Sequence, residues 1–172
     1  MKIFDSFKSI FIKKVDPMIT LSDYLTASGE YPEREKSPEL NPELLGNAER
    51  LLKAVNSLLA ELNVKQAKVS SGFRPAAVNA GIGNAAKKSN HLRCLAIDLL
   101  DDNANALDIL MIKNLPLLKK HGLYLEDPRY TKRWCHLQIA MPASGNRIFV
   151  PSSEPPSNVV SGFDGSFNKT NN

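Results

Sequence analysis

The chain has 172 residues, of which 42% are hydrophobic and 23% charged, with a net charge of +4 and two cysteines. That length holds one domain with extensions, and a core of that size needs no staples; two cysteines exclude a disulfide scaffold. The mild basicity is spread out and suits an anionic polymer or a membrane surface, whereas no aromatic-plus-basic string points to nucleic acid and no run of 18 apolar residues predicts a transmembrane helix.

Residues 1–17 read as an amphipathic helix. Ile3, Phe7 and Ile10 form a stripe flanked by Phe4 and Phe11, with Lys2, Lys8, Lys13 and Lys14 along its border and Pro17 as its stop. Such a helix packs on its own domain, docks on a partner or lies on a membrane surface. Asp5 and Lys8 interrupt the apolar stretch that a signal peptide needs. The expectation is synthesis in the cytoplasm without such a peptide, and transport to any outside target by another route.

Residues 18–150 read as the folded domain. Thr20 precedes a helix start at Leu21, and the Pro-punctuated segment 28–42 reads as an extended loop. Leu44, Leu45, Ala48, Leu51, Leu52, Val55, Leu58 and Leu59 recur at helical spacing, which predicts a helix over 43–62 lying against a sheet. Residues 66–73 read as a strand that turns at Gly72, and Pro75 opens a short helix through Asn79. The apolar run from Leu95 to Leu100 reads as a buried strand. A helix follows over 106–120, with Pro116 as a kink or a split and Gly122 as its end. His121 at its C-terminus suits the helix dipole. Two strands, 122–126 and 133–140, close the domain. On the second, Trp134, His136 and Gln138 share one face, and Cys135, Leu137 and Ile139 the other. Residues 151–172, rich in Ser, Pro, Asn and Gly, read as a tail with little to bury.

The stretch from Ser89 to Asp98 carries the chemistry. A carboxylate inside a buried strand is costly unless paired or bound to a cation. His91 and Asp98 offer one nitrogen and one oxygen ligand, and His136 offers a second imidazole. Three protein ligands leave one zinc position open, as catalytic sites do; the ligand set favours zinc over other divalent ions. Each residue alone is more often a structural group.

The spelling around them is more specific. Ser70-Ser71-Gly72-Phe73-Arg74-Pro75, then Asn79, Gly81 and Gly83, then Ser89-x-His91, Ala96-x-Asp98 and Trp134-x-His136-x-Gln138 resemble, in order, the zinc D-alanyl-D-alanine carboxypeptidase family. That family includes cell-wall carboxypeptidases, dipeptidases and bacteriophage endolysins of hedgehog/DD-peptidase-like fold, and the likeness spans about residues 20–150. It implies an α+β fold, an antiparallel sheet with helices on one face and the metal site on the open face. It implies one zinc ion on His91, Asp98 and His136, with Ser89 and Gln138 lining the substrate site. Arg74 is implied as the group that holds a substrate carboxylate or the developing oxyanion, and its planar fork suits either task. The substrate implied is peptidoglycan, cut at a D-Ala-type bond by a carboxypeptidase or endopeptidase.

Two departures stand out. Many members have a general-base glutamate three residues before the last histidine, where this chain has Arg133. A guanidinium cannot accept a proton. The base is then Glu126, or Asp127, or absent. Cys94 stands where the family usually has glycine; it and Cys135 read as buried thiols, with a disulfide between them as the alternative. Three readings follow: a zinc peptidase, phage-encoded and carried in a virion or tail through residues 1–17 and 151–172; an impaired peptidase fold serving as a structural or wall-binding virion component; or a basic module for an anionic polymer, which leaves the His/Asp/His pattern without a role.

Overall fold

The computed structural model describes residues 18–83 and 85–151. The expected helix over 1–17 and nearly all of the tail 151–172 lie outside the described residues. The order of elements is α1 (Leu21–Thr26), α2 (Pro42–Glu61), β1 (Val69–Ser71), α3 (Ala76–Gly81), β2 (Ala96–Leu100), α4 (Ala106–Lys113), α5 (Leu115–Lys120), β3 (Tyr124–Glu126), β4 (Trp134–Gln138) and β5 (Ile148–Phe149). Short 3-10 turns occupy Pro32–Lys36 and Asn90–Arg93. Among these helices none is long and apolar enough to cross a membrane.

The five strands form one sheet in the order β1-β2-β4-β3-β5. All pairings are antiparallel except β3 with β5, which is parallel. The fold is therefore the expected α+β class, with a parallel edge pair added. β5 has only two residues, too few to show a period of two in the sequence.

One face of the sheet is the core. Ile97 and Leu99 of β2, Leu125 of β3, and Cys135 and Leu137 of β4 pack with Leu51, Val55, Leu58 and Leu59 of α2, all fully buried. α2 starts at Asn41, whose side chain accepts from the Leu44 N–H, with Pro42 in the first turn where no N–H is needed. α1 carries a complete capping box between Thr20 and Asp23. Its Tyr24 is fully buried, and the Tyr24 hydroxyl donates to the Ala96 carbonyl at 3.1 Å, tying α1 to β2.

The helix expected over 106–120 is two. Asn114 leaves helical geometry (φ −123°, ψ 37°) and its side-chain amide donates to the Leu110 carbonyl at 2.8 Å. Pro116 then falls in the first turn of α5, where its missing N–H costs nothing. His121 caps α5 and meets Glu61 at 3.0 Å, fastening α5 to the end of α2. Asp108 of α4, although charged, is fully buried.

Both thiols are buried and free, so the alternative of a disulfide is not met. Cys94 has φ +54°, the left-handed geometry in which glycine has no steric penalty.

Candidate metal centre

The site is built by strand register. Asp98 of β2 lies opposite His136 of β4, and Ser71 of β1 lies opposite Asp98 on its other side. β3 pairs with β4 through Tyr124–Gln138 and Leu125–Leu137; the next step of that register sets Glu126 beside His136. Ser71, Asp98, His136 and Glu126 thus form a row across four strands, on the face opposite the helices, because alternate residues of a strand share a face. His91 arrives from outside the sheet. It sits in the 3-10 turn after Ser89, whose hydroxyl accepts from the His91 N–H and caps that turn.

His91, Asp98 and His136 are all buried, and one ligand atom from each lies within 4.8 Å of the others. The His91 Nδ1–H donates to the Gly72 carbonyl at 2.7 Å, which turns Nε2 inward, 3.4 Å from Asp98 Oδ2. His136 Nδ1 lies 2.7 Å from Asp98 Oδ1 and 3.9 Å from Glu126 Oε2. Arg74 bridges the row: its Nε donates to Ser71 Oγ at 2.8 Å and its Nη2 to Asp98 Oδ2 at 2.7 Å.

Ionisation follows the same contacts. Burial alone would raise Asp98, but the charge of His91 and the hydrogen bonds from His136 and His91 hold it far below the ordinary carboxylate range. His91 is pushed down by burial. Burial works the same way on His136, yet the Asp98 carboxylate outweighs it and His136 is raised. Glu126 is raised, chiefly by burial, against the pull of His136. A carboxylate kept ionised inside the protein, with two imidazoles turned towards it, is a donor set that fits a borderline cation such as zinc.

Of the residues anticipated from the sequence, His91, Asp98, His136, Arg74 and Glu126 come together, and Ser89 and Gln138 lie beside them. Asp127 is drawn away: its carboxylate is gripped by Arg129, with Nη2–Oδ2 at 2.7 Å. Arg133 is exposed at the entry to β4, with φ +75°. Ser71, Gly72 and Asn90 belong to the site as well. Ser71 and Gly72 sit in the motif that carries Arg74, but the Gly72 contribution is a backbone carbonyl, which has no signature in sequence. Its need for glycine does: a Cβ at Gly72 would lie 1.9 Å from the Tyr24 carbonyl oxygen.

Fold and site together define a metallopeptidase-like α+β domain, with a His/Asp/His cluster on the open face of its sheet. A model of the peptidase M15 family matches residues 32–137, more than half of the chain, and the chain belongs to that family of zinc peptidases acting on peptidoglycan. No curated protein and no solved structure matches it.

Proposed function

We propose that this chain is an active zinc peptidase that hydrolyses a D-Ala-type peptide bond in peptidoglycan. His91, His136 and the Asp98 carboxylate would hold one zinc ion. Bound zinc would supply a water of pKa near 7 and polarise the scissile carbonyl. Glu126 takes the proton from the attacking water and returns it to the leaving amine nitrogen. Arg74, already fixed by Ser71, offers its guanidinium to the oxyanion or to a substrate carboxylate. The observation that carries this reading is Glu126: a half-buried, raised carboxyl 3.9 Å from His136 Nδ1 makes up for the missing glutamate at position 133.

The same reading extends to a phage source and to attachment in a virion or tail through residues 1–17 and 151–172. Its support is the amphipathic pattern of Ile3, Phe7 and Ile10 and the family's endolysin members. The alternative, a wall-binding virion component without catalysis, draws on Arg133 alone.

The test is release of peptide fragments from purified peptidoglycan by the zinc-loaded protein, with and without chelator, beside His136→Ala and Glu126→Gln. Fragments that vanish with chelator and in both variants support the reading. Stoichiometric zinc without cleavage of any wall type overturns it in favour of the binding component.

A further inference from the structure

β5 leaves no periodic mark in the sequence, yet its second residue, Phe149, is buried. The Phe149 ring does not join the apolar cluster between the sheet and the helices, whereas Ile148 beside it packs against that cluster. Neighbouring residues of a strand face opposite sides. Phe149 therefore belongs to the open face, where the metal centre lies. In the β3–β5 pairing it stands opposite Glu126. It extends the row of Ser71, Asp98, His136 and Glu126 to a fifth strand.

Two strand spacings, about 10 Å, separate β5 from β4. The Phe149 ring centroid is nevertheless 6.1 Å from that of His136, with the planes at 75°. The side chain thus leans across β3 and makes an edge-to-face contact with the imidazole, in the range where such pairs attract. His91 makes a second contact of this kind with His136, at 5.2 Å and 64°. β5 itself is firmly attached. The Leu125 N–H donates to the Arg147 carbonyl at 2.9 Å and the Asp127 N–H to the Phe149 carbonyl at 2.8 Å. The Arg147 guanidinium lies 4.1 Å over the Tyr124 ring, and its Nη1 donates to the Leu123 carbonyl at 2.7 Å. A hydrogen bond at one ring nitrogen leaves an imidazole room to tilt about it; a fixed aromatic ring beside it removes much of that room.

We propose that Phe149 is a positioning residue of the metal centre: its ring, carried in by β5, braces the His136 imidazole and holds it in line with Asp98 and His91. The inference rests on the reading of His91, Asp98 and His136 as ligands, and goes beyond it by adding a residue outside the segment 32–137 shared with the family. Groups that orient ligating imidazoles typically contribute about 10–100-fold in metal affinity. An aromatic contact is weaker than a hydrogen bond to the ring and belongs at the lower end. Loss of packing alone lowers stability and leaves the zinc affinity of the folded chain as it is.

The experiment is zinc affinity by competition with a chromogenic chelator, below the onset of unfolding, in the full chain and in Phe149→Ala, Phe149→Leu, Leu118→Ala and His136→Ala. Leu118 is fully buried in the helix-side core, so Leu118→Ala loosens the fold away from the site. NMR relaxation of the His136 ring in the metal-free protein reads how firmly the imidazole is held. The expected result is zinc affinity weaker by about 10-fold in Phe149→Ala and by a smaller factor in Phe149→Leu, with Leu118→Ala unchanged. The His136 ring is expected to gain mobility in both Phe149 variants and not in Leu118→Ala. Should Phe149→Ala fail to fold, Phe149→Leu carries both readouts. Wild-type affinity and ring order in the Phe149 variants, or equal losses in Leu118→Ala, would overturn the proposal and leave Phe149 as packing alone. Failure of the wild-type chain to bind zinc any better than His136→Ala would instead sink the ligand reading. In that case the relaxation of the His136 ring without metal still decides whether Phe149 holds it.

Discussion

Asp108 is fully buried on α4, and no strong hydrogen-bond donor meets its carboxyl oxygens. Burial is the main cause of a pKa raised to about 7; the charges of Asp101, Asp127 and Glu126 add to it, and the neighbouring Cys135 thiol opposes it. The ordinary value is 3.8. In the unfolded chain the group ionises near 4, in the folded chain near 7, so between these the folded state binds the extra proton. The stability from that proton is present in full below pH 4 and is lost as pH rises through 7, at about 1.4 kcal/mol per pH unit. The ceiling is about 4 kcal/mol; the exposed loop 102–104 lies close by, and water near it brings the expectation to about 2–4 kcal/mol. Asp108→Asn has nearly the same shape and never ionises. Measured by guanidinium unfolding with chelator present, Asp108→Asn is expected to be more stable than wild type at pH 8 by that amount. The gap should shrink by about 2 kcal/mol at pH 5. An equal gap at the two pH values, or a variant less stable at pH 8, would refute the reasoning.

Three other outcomes are expected. Glu126→Gln lowers kcat by about 10²–10⁴-fold, as loss of a general base does, while equilibrium dialysis still finds zinc bound. Because burial raises Glu126, the acid limb of the wild-type profile of kcat/KM against pH lies above the ordinary glutamate range; a limb at or below that range would argue for another base. Zinc at about 100 times its Kd stabilises the fold by about 2.7 kcal/mol, or roughly 5–10 °C in Tm for a chain of this length; calorimetry should lose that increment with chelator and in His136→Ala. Gly72→Ala forces a methyl group against the Tyr24 carbonyl oxygen, at 1.9 Å before relaxation; denaturation should find a loss of about 1–3 kcal/mol, and zinc affinity should fall because the carbonyl that orients His91 moves.

The candidate ligands are legible because they stand on strongly patterned elements. Alternation along β4 assigns His136 to the face away from Cys135 and Leu137, and the apolar run around Asp98 marks a buried strand. What the pattern cannot supply is register. Which residue lies opposite which is decided by packing across the whole sheet, and a slip of one residue would turn His136 into the core. The row of Ser71, Asp98, His136 and Glu126 is a property of pairing, visible only in the fold. Asp108 is missed for the opposite reason: a charged side chain gives no apolar signal, yet it is buried with Cys135 of β4 as its neighbour. Asn90 and Gln138 meet at 2.8 Å across a separation of 48 positions, which only the fold brings together.

On the proposed function, Glu126 takes over the role of a glutamate at position 133. At position 133 the chain enters β4 through φ +75°, and the side chain there is exposed. Only the backbone is committed: the Arg133 carbonyl accepts from the Asp101 N–H at 2.8 Å. A carboxylate on this residue would face water rather than His136. Glu126, one strand over, is half-buried and reaches His136 Nδ1 at 3.9 Å. Arg133→Glu is therefore expected to leave kcat within about twofold of wild type and to restore nothing when combined with Glu126→Gln, since general-base catalysis needs hydrogen-bond reach to the proton taken. Peptide release by the four proteins, at matched zinc occupancy, decides it. Recovery of activity in the double variant would mean that residue 133 does reach the site, and that Glu126 is a structural neighbour of His136 and not the base.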